Sequence, residues 1–97
     1  MTTPNIIVNT KNGNALIFYD RNITPSNKKY SVLTPSRKLI HFGATDYEHY
    51  KDSTGLNIWS HLDHNDHVRR NRYRLRHRND NINNPEYPGY YSWWYLW

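Results

Sequence analysis

No cysteine occurs among the 97 residues, so neither a disulfide framework nor a thiolate zinc site is open to this chain, and a reducing compartment is consistent with that. Long apolar runs are missing too. Nothing approaches the roughly 20 residues of a membrane-spanning helix. Glycine is scarce, at four copies, and no Gly-rich phosphate loop or serine nucleophile elbow is present. Aliphatic residues are few. Seven Leu, seven Ile, three Val and two Phe make 19 of 97, close to the level of about one fifth at which disorder competes with folding. These shortages exclude a large enzyme with a deep core and a coiled coil. The opening Met1-Thr2-Thr3-Pro4 lacks a basic region followed by an apolar one, so no secretory signal is expected.

What the chain does have is aromatic: four Trp and nine Tyr, where disordered chains are usually aromatic-poor. It is also polar, with mean hydropathy −1.04, and carries a net charge of +5. The charge is unevenly spread. Residues 59–79 hold six Arg against Asp63 and Asp66, whereas residues 80–97 hold only Asp80 and Glu86. A basic segment is therefore followed by an aromatic one without Lys or Arg.

The expected fold class is small α+β, with two N-terminal hairpins, one basic helix and an aromatic C-terminal segment. Ile6-Ile7-Val8 and Leu16-Ile17-Phe18-Tyr19 flank Lys11-Asn12-Gly13-Asn14, and Asn-Gly is the strongest short hairpin signal because a type I′ turn needs positive φ at both central residues. Residues 20–27 read as a polar connector. Tyr30-Ser31-Val32-Leu33 and Lys38-Leu39-Ile40-His41-Phe42 flank Thr34-Pro35-Ser36-Arg37, in which Pro presets a turn; Gly43 is expected to end the strand. Alternation leaves open which face of this hairpin is buried. Residues 1–28 are taken as a hairpin or arm, and 29–97 as the main domain.

A helix is expected over about residues 65–78, capped by Asp63 or Asn65, with Asp66 in its first turn and spaced to pair with Arg69 and Arg70. The rival is a strand, because Arg72-Tyr73-Arg74-Leu75-Arg76-His77-Arg78 alternates with period 2. Four Arg in line on a strand would repel one another, and helix is the expected form. Residues 79–88 read as loop.

Three blocks then stand out in order: His41-Phe42-Gly43-Ala44 with Tyr47 and Tyr50; His64-Asn65-Asp66 with Arg69-Arg70, Tyr73 and Arg76-His77; and Gly89 with Ser92, Trp94, Leu96 and Trp97. From Lys29 onward the chain resembles a family of small basic proteins encoded by nucleocytoplasmic large DNA viruses, whose pattern is HFGA, YxDY, HKDxxRKxxYxxRH and GFWSxWLLW. It departs from that pattern in an extra stretch around Lys51–Leu62, in His49 where an acid is usual, and in Trp93 where Arg is common. The resemblance implies a viral protein carried in the particle, made in the host cytoplasm and located in the virion, and it brings no catalytic activity with it.

Three constellations carry chemistry. His61, His64 and His67, with Asp63 and Asp66 between them, have ligand types suited to zinc. At three-residue spacing on a helix, however, the imidazoles do not converge on one point, so no metal and no cofactor is expected. A single His acting as a nuclease-like base lacks a second catalytic element, and no enzyme is expected. The second constellation is Arg69, Arg70, Arg72, Arg74, Arg76 and Arg78. Their planar forks suit carboxylate or phosphate. Helical spacing of Asp66 with Arg69 and Arg70, and of Tyr73 with His77, favours contacts with protein, and nucleic acid is the alternative.

The third constellation is the tail, with six aromatics among its last eight residues, too much apolar surface to leave in water. Folding back onto the chain's own core is the first expectation and docking in a partner's groove the second. Membrane anchoring comes last, because no basic residue lies beside the tail. Tyr47, Tyr50, Tyr73, Trp94, Leu96 and Trp97 are the candidate structural or docking side chains. Taken together these features point to a non-enzymatic minor capsid or cement protein, its thin core completed by capsid subunits; the alternative is a nucleic-acid-binding protein acting through residues 69–78.

Overall fold

The computed structural model describes residues 6–10 and 13–97. The protein is a small α+β domain. Four strands, β1 (Ile6–Thr10), β2 (Gly13–Phe18), β3 (Lys28–Leu33) and β4 (Leu39–Ala44), form one antiparallel sheet in chain order. A single 3-10 turn (Ser60–Leu62) and two helices, α1 (His67–His77) and α2 (Pro88–Tyr95), follow.

Both hairpins form. In the first, Thr10 pairs with Gly13, so Gly13, expected within the turn, opens β2 with φ +124°. The turn residues Lys11 and Asn12 lie outside the described residues. The second turn is closed by Arg37 N–H donating to the Thr34 carbonyl at 2.8 Å, and Arg37 takes up φ +70°. Glu86 clamps this turn from far along the chain, accepting from Thr34 Oγ1 at 2.7 Å and from Ser36 N–H at 2.9 Å. These donors hold its carboxyl below the usual range. Gly43 does not end β4, which runs on through Ala44. Gly43 sits at φ +80°, and a Cβ there would lie 3.0 Å from both Leu96 and Lys29 side-chain atoms, so the position needs glycine for both reasons.

β3 is buried on both faces, Lys29 and Ser31 on one and Tyr30 and Val32 on the other, and the second face carries the apolar core. Tyr30 pairs with Phe42 and Val32 with Ile40 and Ile17. Ala15, Ile17, Tyr30, Val32 and Phe42 point into the core together with Tyr91 and Leu96. β2 therefore shares one core with β3 and β4. The scarcity of aliphatics is met by rings: Phe42 lies 5.8 Å from Tyr30 and 5.7 Å from Tyr91, at separations where tilted aromatic pairs attract beyond their area.

The aromatic tail folds back as a helix. Pro88 at its first turn suits helix entry because the missing N–H has no intrahelical partner to lose. Gly89 permits a close approach to the loop before it, since a Cβ would lie 2.3 Å from the Asp80 carbonyl oxygen. The Tyr91 hydroxyl donates to the Pro85 carbonyl at 2.7 Å. Buried Tyr91 and Leu96 then close the core over β4.

Candidate functional site

The basic segment is an α-helix, not a strand, and its cap is Asp66 rather than Asp63 or Asn65. Asp66 Oδ1 accepts from the backbone N–H of Val68 at 2.9 Å and of Arg69 at 3.2 Å, which satisfies two free donors of the first turn. Those donors hold the Asp66 carboxyl below its ordinary value. With its carboxylate turned to the backbone, Asp66 forms no side-chain pair with Arg69 or Arg70. Arg69 instead meets Glu48 at 2.8 Å.

Helical geometry divides the arginines between two sides. Arg70, Tyr73, Arg74 and His77, at spacings of three and four, turn toward the fold and are half-buried. Arg70 Nε donates to the main-chain oxygen of Trp97 at 2.7 Å, and its guanidinium lies 4.7 Å over the Tyr50 ring. Arg74 donates to the same oxygen at 3.1 Å and lies 4.9 Å over Trp93. Tyr73 is sandwiched between His77 and Trp97, each 4.3 Å away, and burial pushes its hydroxyl up to about 12. Two of the six arginines and the Tyr73–Trp97 pair thus fasten α1 to the end of α2.

The other side of α1 is uncommitted. Arg72, Arg76 and Arg78 are exposed and have no hydrogen-bond or ion-pair partner among the described residues. Val68 and Leu75 lie on this side, 59% and 66% exposed. They are two turns apart along the helix axis, with Arg72 between them and Arg78 beyond. The remaining tail and loop aromatics divide as well. Leu96 is core, Trp97 and Tyr50 are half-buried, and Tyr47 and Trp94 are exposed, although Trp94 Nε1 donates to the Ile82 carbonyl at 2.7 Å.

The histidine cluster is dispersed. His61 lies beside Trp59, His64 Nδ1 accepts from Asp66 N–H at 2.9 Å, and His67 lies against Tyr50. Asp63 spends its Oδ1 on His49 and on the Asp52 N–H, with no hydrogen bond to any of the three. Among the described residues no group of three or more His, Asp or Glu side chains is placed to hold a metal ion.

Asp63 belongs to a buried array that sequence reading missed. Lys29, only 1% exposed, donates from Nζ to the Tyr47 carbonyl at 2.7 Å and to His49 Nδ1 at 2.8 Å. His49 Nε2 in turn reaches Asp63 Oδ1 at 2.5 Å. A second buried pair, Tyr30 and Asp52, is linked to it through the Asp52 N–H, which donates to Asp63 Oδ1 at 2.8 Å. Desolvation pushes Lys29 down to about 8 and lowers His49 below the usual imidazole value. His49 and Tyr30 are fully enclosed, so the array ties the loop of residues 47–63 to β3. In the sequence His49 and Asp63 stand out only in other connections, and nothing local marks Lys29 as a buried lysine.

Compared with protein-family models, with curated proteins and with solved structures, the chain matches none.

Proposed function

We propose that the protein is a non-enzymatic structural component of a large DNA virus particle, a minor capsid or cement protein that docks on larger subunits through the outer face of α1. The resemblance of residues 29–97 supplies the viral setting. The observation that carries the docking reading is the pairing of exposed Val68 and Leu75 with unpartnered Arg72 and Arg78. Apolar anchors beside arginines suit a protein neighbour with an acid-rimmed apolar patch, because Arg contributes both charge and stacking area at interfaces. The aromatic tail, spent on the domain's own core, is not the docking element in this reading. In the Lys29–His49–Asp63 array the lysine and the imidazole are buried, Asp63 keeps a partly exposed edge, and all three are tied into the fold, which supports a structural rather than a catalytic part for it.

Nucleic acid remains the second reading, favoured by the unpartnered cations of α1. Phosphates would be held mainly by charge, and such binding weakens steeply with salt because counterions released into a saltier solution gain less free energy. Mass spectrometry of purified particles, stripped first of membrane and then of genome, separates the two. Retention with the protein shell is the expected result; loss with the DNA would overturn the structural role.

A further inference from the structure

A cleft of about 450 Å³ opens where the start of β3 and the end of β4 meet the Tyr47–Glu48 loop, α1 and the end of α2. That volume falls in the range of small-molecule sites. Its lining is unbalanced in charge: Lys28, Lys29, Arg69 and Arg76 face a single carboxylate, Glu48. Glu48 is held by Arg69 in an exposed pair at 2.8 Å, the kind of contact that stabilises little and exchanges readily. Lys29 is occupied by Tyr47 and His49. Lys28 and Arg76 have no side-chain hydrogen-bond or ion-pair partner among the described residues. At the lip stands Tyr47, 71% exposed, one ring of the cleft that is not already stacked.

From this arrangement we propose that the cleft is a binding site for a nucleoside di- or triphosphate, with the phosphates on Lys28 and Arg76 and the base against Tyr47. The guanidinium fork suits two phosphate oxygens, and Lys28 supplies a point charge beside it. A phosphate chain carries enough charge to draw Arg69 from Glu48 as well, whereas a lone carboxylate would leave most of the cations unneutralised. Tyr47 supplies a face for any base, since stacking is tolerant of base identity. The site borders the docking face at Arg76 but is separable from it: Arg72, Arg78, Val68 and Leu75 do not line it.

The test is titration of the intact protein with ATP at physiological salt, read by calorimetry and by the summed tryptophan fluorescence, to which Trp97 in the cleft contributes. One saturable site is expected, weakened about tenfold or more by Lys28→Gln or Arg76→Gln, as loss of a charge-assisted bond implies. Arg72→Gln and Arg78→Gln should leave it within twofold. Tyr47→Ala should weaken ATP but not inorganic pyrophosphate. Circular dichroism confirms that each variant is folded. Absence of saturable binding would overturn the proposal. So would equal losses in the Arg72 and Arg78 variants, which would mean diffuse attraction, or adenosine binding as tightly as ATP. An unchanged ATP affinity in Tyr47→Ala would remove the base from Tyr47 and overturn the nucleotide assignment.

Discussion

At Lys29 the sheet encloses an ammonium whose neighbours are a carbonyl and an imidazole, with no carboxylate in direct contact. The arrangement works only while His49 is neutral, with Nδ1 accepting from Lys29 and Nε2–H donating to Asp63. Protonation would set a second cation beside the first in a desolvated place. His41, His49 and His64 are all held below the ordinary imidazole value of 6.5, in each case mainly by desolvation. As pH falls through 6.5 the unfolded chain therefore takes up protons before the folded one, and stability falls with it. Glu48, Asp66 and Glu86 are shifted below their own usual values, so their contribution is lost only in more acidic solution. The urea midpoint should drop between pH 7 and pH 5.5, and His49→Gln should flatten that slope. A wild-type midpoint that is level or rising across this interval would contradict the assignment.

Among the elements, α2 and the residue after it bring two large side chains, Tyr91 and Leu96, into the core. Enclosing Tyr91 alone removes about 150–250 Å² from water, worth up to about 4–6 kcal/mol before the compactness of the unfolded chain is counted. Total stability of a domain this size is about 5–15 kcal/mol. Deletion of residues 89–97 removes Tyr91, Leu96 and the main-chain oxygen that anchors Arg70 and Arg74. The truncated chain should lose its cooperative thermal transition in circular dichroism; a folded truncated chain would show that the tail is dispensable.

The hairpins, the basic helix and the returning tail were all legible in the sequence, because turn residues, charge runs and aromatic density are local signals. The cap was misassigned by one to three residues, since Asp63, Asn65 and Asp66 are all competent caps and only the path of the chain chooses among them. Gly43 read as a strand end, yet it answers to packing against Lys29 and Leu96 from distant parts of the chain. The division of the arginines into two anchors and an outer set follows from where Trp97 ends up. The Lys29–His49–Asp63 array, assembled across separations of 20 and 14 residues, had no local signature at all.

For the whole molecule, the folded-back aromatic tail and the inward Arg70 and Arg74 leave the outer side of α1 as the surface most suited to a partner. Val68, Leu75, Arg72 and Arg78 are exposed, so changing them tests contact with a neighbour without removing core. The most direct measurement is incorporation into particles of a variant carrying Leu75→Glu and Arg72→Glu, compared with wild type and checked for folding by circular dichroism. The account predicts a folded variant whose copy number in purified particles falls about tenfold or more, as expected when an interface arginine and its apolar neighbour are both lost. A folded variant incorporated at the wild-type level would contradict docking through α1.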